Sequence, residues 1–200
     1  MNLIGTTTDG DLIVTMTGIE YNNYPLPSTQ QDEVILPYKH VSQRGAGAAN
    51  NVNDCGPSCI VSCAHEHGYP ELTVDDVAAT YQRPNKPMHV HELRAGLAGY
   101  GLAHRYERPL TVAMIATHLR EEQMPVIPLV SYRALPHRFD MNYRLSHYIV
   151  IYGVLGDGSF LYHDPLGDGR RLTITAAQLN TALRNIQSEG NLPNQGILLT

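Results

Sequence analysis

The sequence contains few cysteines. Its three cysteines are an odd number, and all of them fall within the short segment from Cys55 to Cys63. A disulfide framework of a small secreted domain uses an even set that is scattered along the chain. We therefore expect free thiols and a reducing compartment, which favours a cytoplasmic protein.

Long apolar runs are also missing. The longest ones, Pro125–Val130 and Tyr148–Leu155, have the length of a strand, whereas a membrane-spanning helix needs about 20 apolar residues. The first residues carry acidic side chains where a signal peptide has a basic start and an unbroken apolar segment. We expect neither a membrane span nor a secretion signal.

Charge is sparse and slightly negative. Charged residues make up 16% of the 200 residues, hydrophobic residues make up 42%, and the formal net charge is −5. This balance is typical of one globular domain and excludes a disordered chain or a coiled coil. It gives no electrostatic reason to expect nucleic acid as a partner.

Several chemical motifs are absent as well. The sequence has no glycine-rich phosphate loop, no Walker pattern and no GxSxG motif, which argues against nucleotide-dependent enzymes and serine hydrolases. It has no CxxC pair, and the histidine pairs at His65/His67 and His89/His91 are spaced so that they face different sides of a helix. We expect neither a metal nor a cofactor.

The chain divides into an amino-terminal arm and a main domain. The first forty residues contain two short β-like stretches, Asp11–Met16 and Glu33–Leu36, around a turn-rich segment at Asn22–Ser28, and we assign residues 1–35 to the arm. This composition predicts a β-like arm or hairpin. Residues 36–200 form the main domain, and the Gly, Ala and Asn composition of Gly45–Asn53 predicts an exposed loop within it.

The main domain changes from helical to strand-like sequence along its length. Apolar periodicity and capping residues predict helices at residues 55–68, 74–81, 89–100, 111–123 and 175–186. Short runs of β-branched and aromatic residues predict strands at residues 125–132, 146–154, 159–163, 171–174 and 196–199. Helices followed by antiparallel strands indicate an α+β fold in which helices pack on a sheet.

Cys55 is the candidate nucleophile. It opens the first predicted helix within Asp54-Cys55-Gly56-Pro57, and free N–H groups and the helix dipole at that position favour a thiolate. Cys59 and Cys63 continue the apolar stripe of the same helix, so we interpret them as packing residues.

A thiolate nucleophile needs a base and a group that orients the base. His147 opens the most apolar predicted strand, and Asp164 ends the next one, after the turn at Gly156–Gly158. In an antiparallel hairpin the start of the first strand lies beside the end of the second. His147 is therefore the candidate base and Asp164 its partner, whereas His163 points to the opposite face.

Three motifs, in this order, resemble one enzyme family. They are Asn53-Asp54-Cys55-Gly56-Pro57-Ser58-Cys59, Ser146-His147-Tyr148-Ile149-Val150-Ile151-Tyr152-Gly153 and Tyr162-His163-Asp164-Pro165-Leu166-Gly167. Together they resemble the bacteriocin-processing, double-glycine leader peptidases and their stand-alone relatives, which are papain-fold cysteine peptidases. The resemblance covers about residues 36–174 and includes no transporter portion, so the substrate need not have a double-glycine leader.

The resemblance implies a catalytic set of four residues. Cys55 would be the nucleophile, His147 the general base and acid, and Asp164 the group that orients the imidazole. Gln43 would donate a hydrogen bond to the oxyanion. Because Gln43 stands twelve residues before Cys55, with the Gly-Ala-Asn loop in between, Asn50 and Asn51 are alternatives for that donor.

The substrate implied is a peptide or protein cleaved at a peptide, isopeptide or amide bond. Two other functions use the same residues or fold: a peptidoglycan amidase, and a non-catalytic binding or structural protein such as a virion or secretion-system component. Subsites would come from the Gly45–Asn53 loop and from Ser131–Leu145, where Tyr132 and Tyr143 are among the residues that predict a polar rim. The sequence leaves the oligomeric state open.

Overall fold

The computed structural model describes residues 4–8, 11–15, 32–45, 52–186 and 192–200. The chain forms two compact units, Met1–Gln30 and Gln31–Thr200. In the first unit, strands β1 (Ile4–Thr8) and β2 (Asp11–Thr15) pair antiparallel as a hairpin. The turn-rich segment 22–28 lies outside the described residues.

Four of the helices of the second unit lie between residues 55 and 121, and a fifth lies near its carboxyl end. The described residues form five α-helices: α1 (Cys55–His65), α2 (Val74–Tyr81), α3 (Val90–Gly99), α4 (Val112–Glu121) and α5 (Ala176–Arg184). Their starts follow from local chemistry, because Thr73, Thr111 and Thr175 each accept a backbone N–H of the first turn through the side-chain oxygen. All five predicted helices are confirmed.

The strands of this unit form an antiparallel sheet. They are β3 (Val34–Ile35), β4 (His104–Glu107), β5 (Val126–Ser131), β6 (Ser146–Tyr148), β7 (Val150–Val154), β8 (Phe160–His163), β9 (Leu172–Ile174) and β10 (Gly196–Leu199). The order is β4-β10-β5-β7-β8-β9, with β3 on β7 and β6 on β5. The helices and this sheet confirm the predicted α+β class.

Several details differ from the sequence-based expectation, including the strand β1 at Ile4–Thr8, which was not predicted. The strand predicted at 146–154 is divided at Ile149 into β6, which pairs with β5, and β7, which pairs with both β5 and β8. The strand β4 was not predicted, since His104–Glu107 has charged side chains and no apolar alternation. Val34 and Ile35, expected in the amino-terminal arm, pair with Val154 and Gly153 of β7.

The helix α1 is the centre of the unit. Every residue from Cys55 to Ala64 is buried, and the helix contacts α2, α3 and β6. A fully buried aliphatic side chain such as that of Ile60 contributes roughly 1.5–3 kcal/mol to stability. Burial on all sides therefore fixes the position of α1 and brings its first residue next to β6.

Among the described residues, no helix combines the length and the apolar character that crossing a membrane requires.

Candidate active site

Cys55 is the first residue of α1, as predicted. Helix starts leave backbone N–H groups without partners inside the helix, and the dipole is positive there. The cysteine is 4% exposed, and the residue before it, Asp54, is fully buried. The carbonyl of Asp54 accepts hydrogen bonds from the backbone N–H and the hydroxyl of Ser58, at 2.9 and 2.8 Å. These bonds fix the first turn and with it the position of Cys55.

Gly56 lets the side chain of Met88 approach this turn. A Cβ atom at Gly56 would lie 2.8 Å from the sulfur and 2.9 Å from the Cβ of Met88. Pro57 follows within the first helical turn, where a missing N–H costs no hydrogen bond. The Cys-Gly-Pro sequence thus suits a helix start that packs closely against the Met88 side chain.

His147 lies on β6, opposite Val130 of β5. Its side chain is fully buried. The rings of Tyr132 and Tyr143 meet the imidazole edge-on, with centroids 5.1 and 5.6 Å away. The two tyrosines therefore hold the plane of the imidazole between them.

Asp164 follows directly after β8 and is fully buried beside His147. Its Oδ1 atom lies 2.7 Å from Nε2 of His147 and also accepts the backbone N–H of Leu166 at 2.9 Å. His163 pairs with Val150 in the β7–β8 hairpin, so the next residue, Asp164, lies beside His147. The expected proximity of His147 and Asp164 is confirmed.

The surroundings of His147 favour its protonated form. Burial alone lowers the pKa of His147, but the charges of Asp164 and Cys55 and the hydrogen bonds to both residues outweigh burial and raise the pKa to about 10. Within the described part of the chain, Nδ1 of His147 has no oxygen or nitrogen partner. The imidazole is therefore bonded to Asp164 through Nε2, and the charge of Cys55 also acts on it.

Gln43 lies against the turn that follows Asp164. Its backbone N–H donates to the carbonyl of Pro165 at 2.9 Å, and the residue is fully buried. The segment that carries Gln43 thus runs beside the carboxylate end of the site. The alternative donors Asn50 and Asn51 lie outside the described residues.

The other two cysteines are packing residues, as expected. Cys59 and Cys63 are fully buried in α1, and burial raises the pKa of both thiols well above the usual range. All three cysteines of the chain are free thiols.

The predicted polar rim is partly wrong. Tyr132 is fully buried, and its hydroxyl accepts the backbone N–H groups of Phe139 and Asp140 at 2.7 and 3.1 Å. The pKa of Tyr143 is raised by burial and by the charges of Cys55 and Asp164. Both rings thus belong to the interior of the site, because their apolar faces pack on each other and on His147. No sequence periodicity marks these loop tyrosines.

His163 faces away from the Asp164 carboxylate, as expected. Its Nε2 atom donates to the carbonyl of Tyr38 at 2.8 Å, and its ring stacks on Tyr152 with centroids 4.1 Å apart. His40, which the sequence did not single out, donates from Nε2 to the backbone carbonyl of Asp164 at 2.8 Å.

The described residues include no group of three or more histidine, cysteine, aspartate or glutamate side chains arranged to hold a metal ion.

We compared the chain with known proteins to find similar sequences and structures. No family model matches the sequence, and no curated protein is similar to it. A protein from Bacillus anthracis assigned as a C39-like peptidase has a similar structure, with a TM-score of 0.63 and 12% identity, over 84% of this chain and 98% of that chain. The peptidase domain of Streptococcus ComA, a bifunctional ABC transporter involved in quorum sensing, is similar with a TM-score of 0.57 and 17% identity, over 81% and 97%.

These similarities establish the fold. The chain has the papain-like α+β fold of C39-type peptidases, and the fold expected from the three sequence motifs is confirmed.

Proposed function

We propose that this protein is a cysteine peptidase that hydrolyses a peptide, isopeptide or amide bond, with the active site in the unit Gln31–Thr200. The observation that carries the proposal is the buried 2.7 Å contact between His147 and Asp164, with Cys55 at the start of α1 as the other neighbour of the imidazole. A nucleophile, a base and a group that orients the base are the minimum for covalent acyl transfer.

The first half of the reaction is acylation. The raised pKa of His147 supports an imidazolium beside a thiolate. The Sγ atom of Cys55 attacks the substrate carbonyl carbon, which forms a C–S bond and a tetrahedral oxyanion. His147 then gives its proton to the amide nitrogen as the C–N bond breaks, and the amine leaves. A thioester on Cys55 remains.

The second half is hydrolysis of the thioester. Neutral His147 removes a proton from water while the water oxygen attacks the thioester carbon. The C–S bond breaks, the carboxylic acid product leaves, and the Cys55 thiolate and the His147 imidazolium are restored. Asp164 stays ionised throughout, and it keeps the imidazole in the orientation that both proton transfers need.

The oxyanion of the tetrahedral intermediate on Cys55 needs hydrogen-bond donors. We assign the backbone N–H of Cys55 and the side-chain amide of Gln43 to this role. The first is one of the N–H groups that a helix start leaves available, and the buried position of Gln43 beside the Asp164 turn supports the second. Loss of one oxyanion donor costs roughly 100- to 1,000-fold in rate.

The substrate is a peptide or a protein, as in the two structural neighbours named as peptidases. Three free thiols suit a reducing compartment, so we propose that the protein works in the cytoplasm.

A mixture of synthetic peptides, analysed by mass spectrometry for new termini, tests the proposal. We expect wild-type protein to cleave a subset of the peptides and Cys55→Ala to lose cleavage by at least 1,000-fold. The matched control is Cys63→Ala, which removes a thiol two turns away in the same helix and should stay within threefold of wild type. Cleavage by Cys55→Ala within tenfold of wild type would refute the mechanism.

A further inference from the structure

Two histidines outside the proposed catalytic set, His40 and His163, connect two segments of the chain. One is residues 34–43, the Gln43 segment, and the other is the turn at residues 164–167, the Asp164 turn. His163 at the end of β8 donates to the carbonyl of Tyr38, and His40 donates to the carbonyl of Asp164, both at 2.8 Å. The two bonds run in opposite directions between neighbouring segments. The rings of His40 and His163 meet edge to face, with centroids 5.8 Å apart.

The same segment is also tied to the central helix. The carbonyl of Lys39, between Tyr38 and His40, accepts the hydroxyl of Ser62 in α1 at 2.6 Å. Tyr38, Lys39 and His40 therefore bond in turn to β8, to the helix that carries Cys55 and to the Asp164 turn. Four residues further on, Gln43 donates its backbone N–H to Pro165.

We infer that His40 and His163 are positioning residues, which together with Ser62 hold the Gln43 segment against both the Asp164 turn and α1. We call His40 and His163 the histidine clamp. The inference rests on the proposed function, since it gives Gln43 and Asp164 a fixed separation for catalysis. Neither histidine touches the reacting atoms.

Side-chain clamping has a physical reason in this segment. Only two residues of it, Val34 and Ile35, form strand pairs with β7, and the chain from Leu36 to Ser42 has no regular secondary structure. Its carbonyl groups cannot be satisfied by a ladder, so side-chain donors must bond them. The ring of His163 is further fixed by its stacking on Tyr152, which limits the directions in which Nε2 can donate.

The clamp requires one specific tautomer. A carbonyl oxygen only accepts, so Nε2 of both His40 and His163 must carry the hydrogen. Nitrogen-15 spectra of the histidine rings in wild-type protein measure this directly. We expect Nε2 to be protonated in both residues. A neutral ring with its hydrogen on Nδ1, in either residue, would overturn the inference.

Hydrogen exchange measures the consequence at Gln43. In His40→Leu we expect the Gln43 amide to exchange at least tenfold faster than in wild type, because the adjoining bond to Asp164 is lost. In His40→Gln, whose amide can donate from a similar position, the rate should return to within threefold. The amide of Leu36, bonded to the Tyr152 carbonyl, should remain within threefold in both variants.

The matched control is His91→Leu, at an exposed position of α3, which should leave Gln43 exchange unchanged. In the peptide assay, His40→Leu should lower cleavage at least tenfold and His40→Gln should recover most of it. A Gln43 exchange rate within twofold of wild type in His40→Leu would overturn the inference. The spectra and the exchange rates need no substrate, so the clamp and the peptidase activity can fail separately.

Discussion

Nε2 of His147 and Oδ1 of Asp164 lie 2.7 Å apart, and neither side chain is exposed. His147 lies in β6, and Asp164 is the residue directly after β8. Burial makes the pair strong while it is intact and costly when one partner is removed.

Replacement of Asp164 by asparagine tests this pair. Asp164→Asn keeps the shape and can still accept the N–H of Leu166, but it removes the charge that raises the pKa of His147. We expect peptide cleavage to fall by about 100-fold or more, since the protonated imidazole loses the neighbouring carboxylate charge that stabilises it. The control is Asp168→Asn, at an exposed aspartate. Equal activity of both variants would contradict the role of Asp164.

The pH dependence of iodoacetamide labelling at Cys55 tests whether a positively charged His147 activates the thiol. Because the pKa of His147 is raised to about 10, the imidazolium persists through neutral pH and favours a thiolate beside it. We expect labelling in wild type to remain fast below pH about 6. In His147→Ala we expect slow labelling below pH about 6, because the imidazolium that favours the thiolate is gone. Peptide mass spectrometry locates the label, and identical pH profiles in the two proteins would refute the activated pair.

Gly56→Ala should destabilise the fold. The added Cβ would lie under 3.0 Å from two atoms of the Met88 side chain, and overpacking of this kind costs about 1–3 kcal/mol. Urea denaturation of the whole chain measures the change. The matched control is Gly45→Ala, where no atom lies within 4 Å of the added Cβ. We expect the control to lose less than about 0.5 kcal/mol; equal losses would show that Met88 is not the cause.

Two buried tyrosine hydroxyls should respond in opposite ways. Tyr132→Phe leaves the N–H groups of Phe139 and Asp140 without their acceptor, which should cost about 1–3 kcal/mol. The hydroxyl of Tyr148 is buried and has no hydrogen-bond partner in the described ranges, so Tyr148→Phe should be neutral or stabilising. Urea denaturation measures both variants. Destabilisation by Tyr148→Phe of the same size would mean that its hydroxyl is bonded.

Local chemistry made much of the fold predictable. Threonine caps and apolar periodicity located the helices, and β-branched runs separated by glycine turns located most strands. The strand β4 escaped prediction because the backbone pairing of its charged residues with β10 gives no local signal. The break at Ile149 also escaped, because Tyr148 and Val150 on either side of it both read as strand residues.

The candidate site was predictable to a similar extent. A cysteine at a helix start and a histidine and an aspartate at facing ends of a hairpin follow from sequence spacing, because helix ends and hairpin register are local properties. The packing of Tyr132 and Tyr143 on His147 and the roles of the two clamp histidines were not predictable. Their roles depend on packing and on backbone carbonyls that the sequence cannot place.

The sequence alone therefore predicted most of the elements, the α+β class and the three residues that the proposed mechanism uses. Only the tertiary structure decided the position of the segment that carries Gln43. That segment has little regular structure of its own, and its path is set by side-chain bonds to β8, to the Asp164 turn and to α1. Such bonds join residues far apart in the chain, which leaves no periodic trace in the sequence.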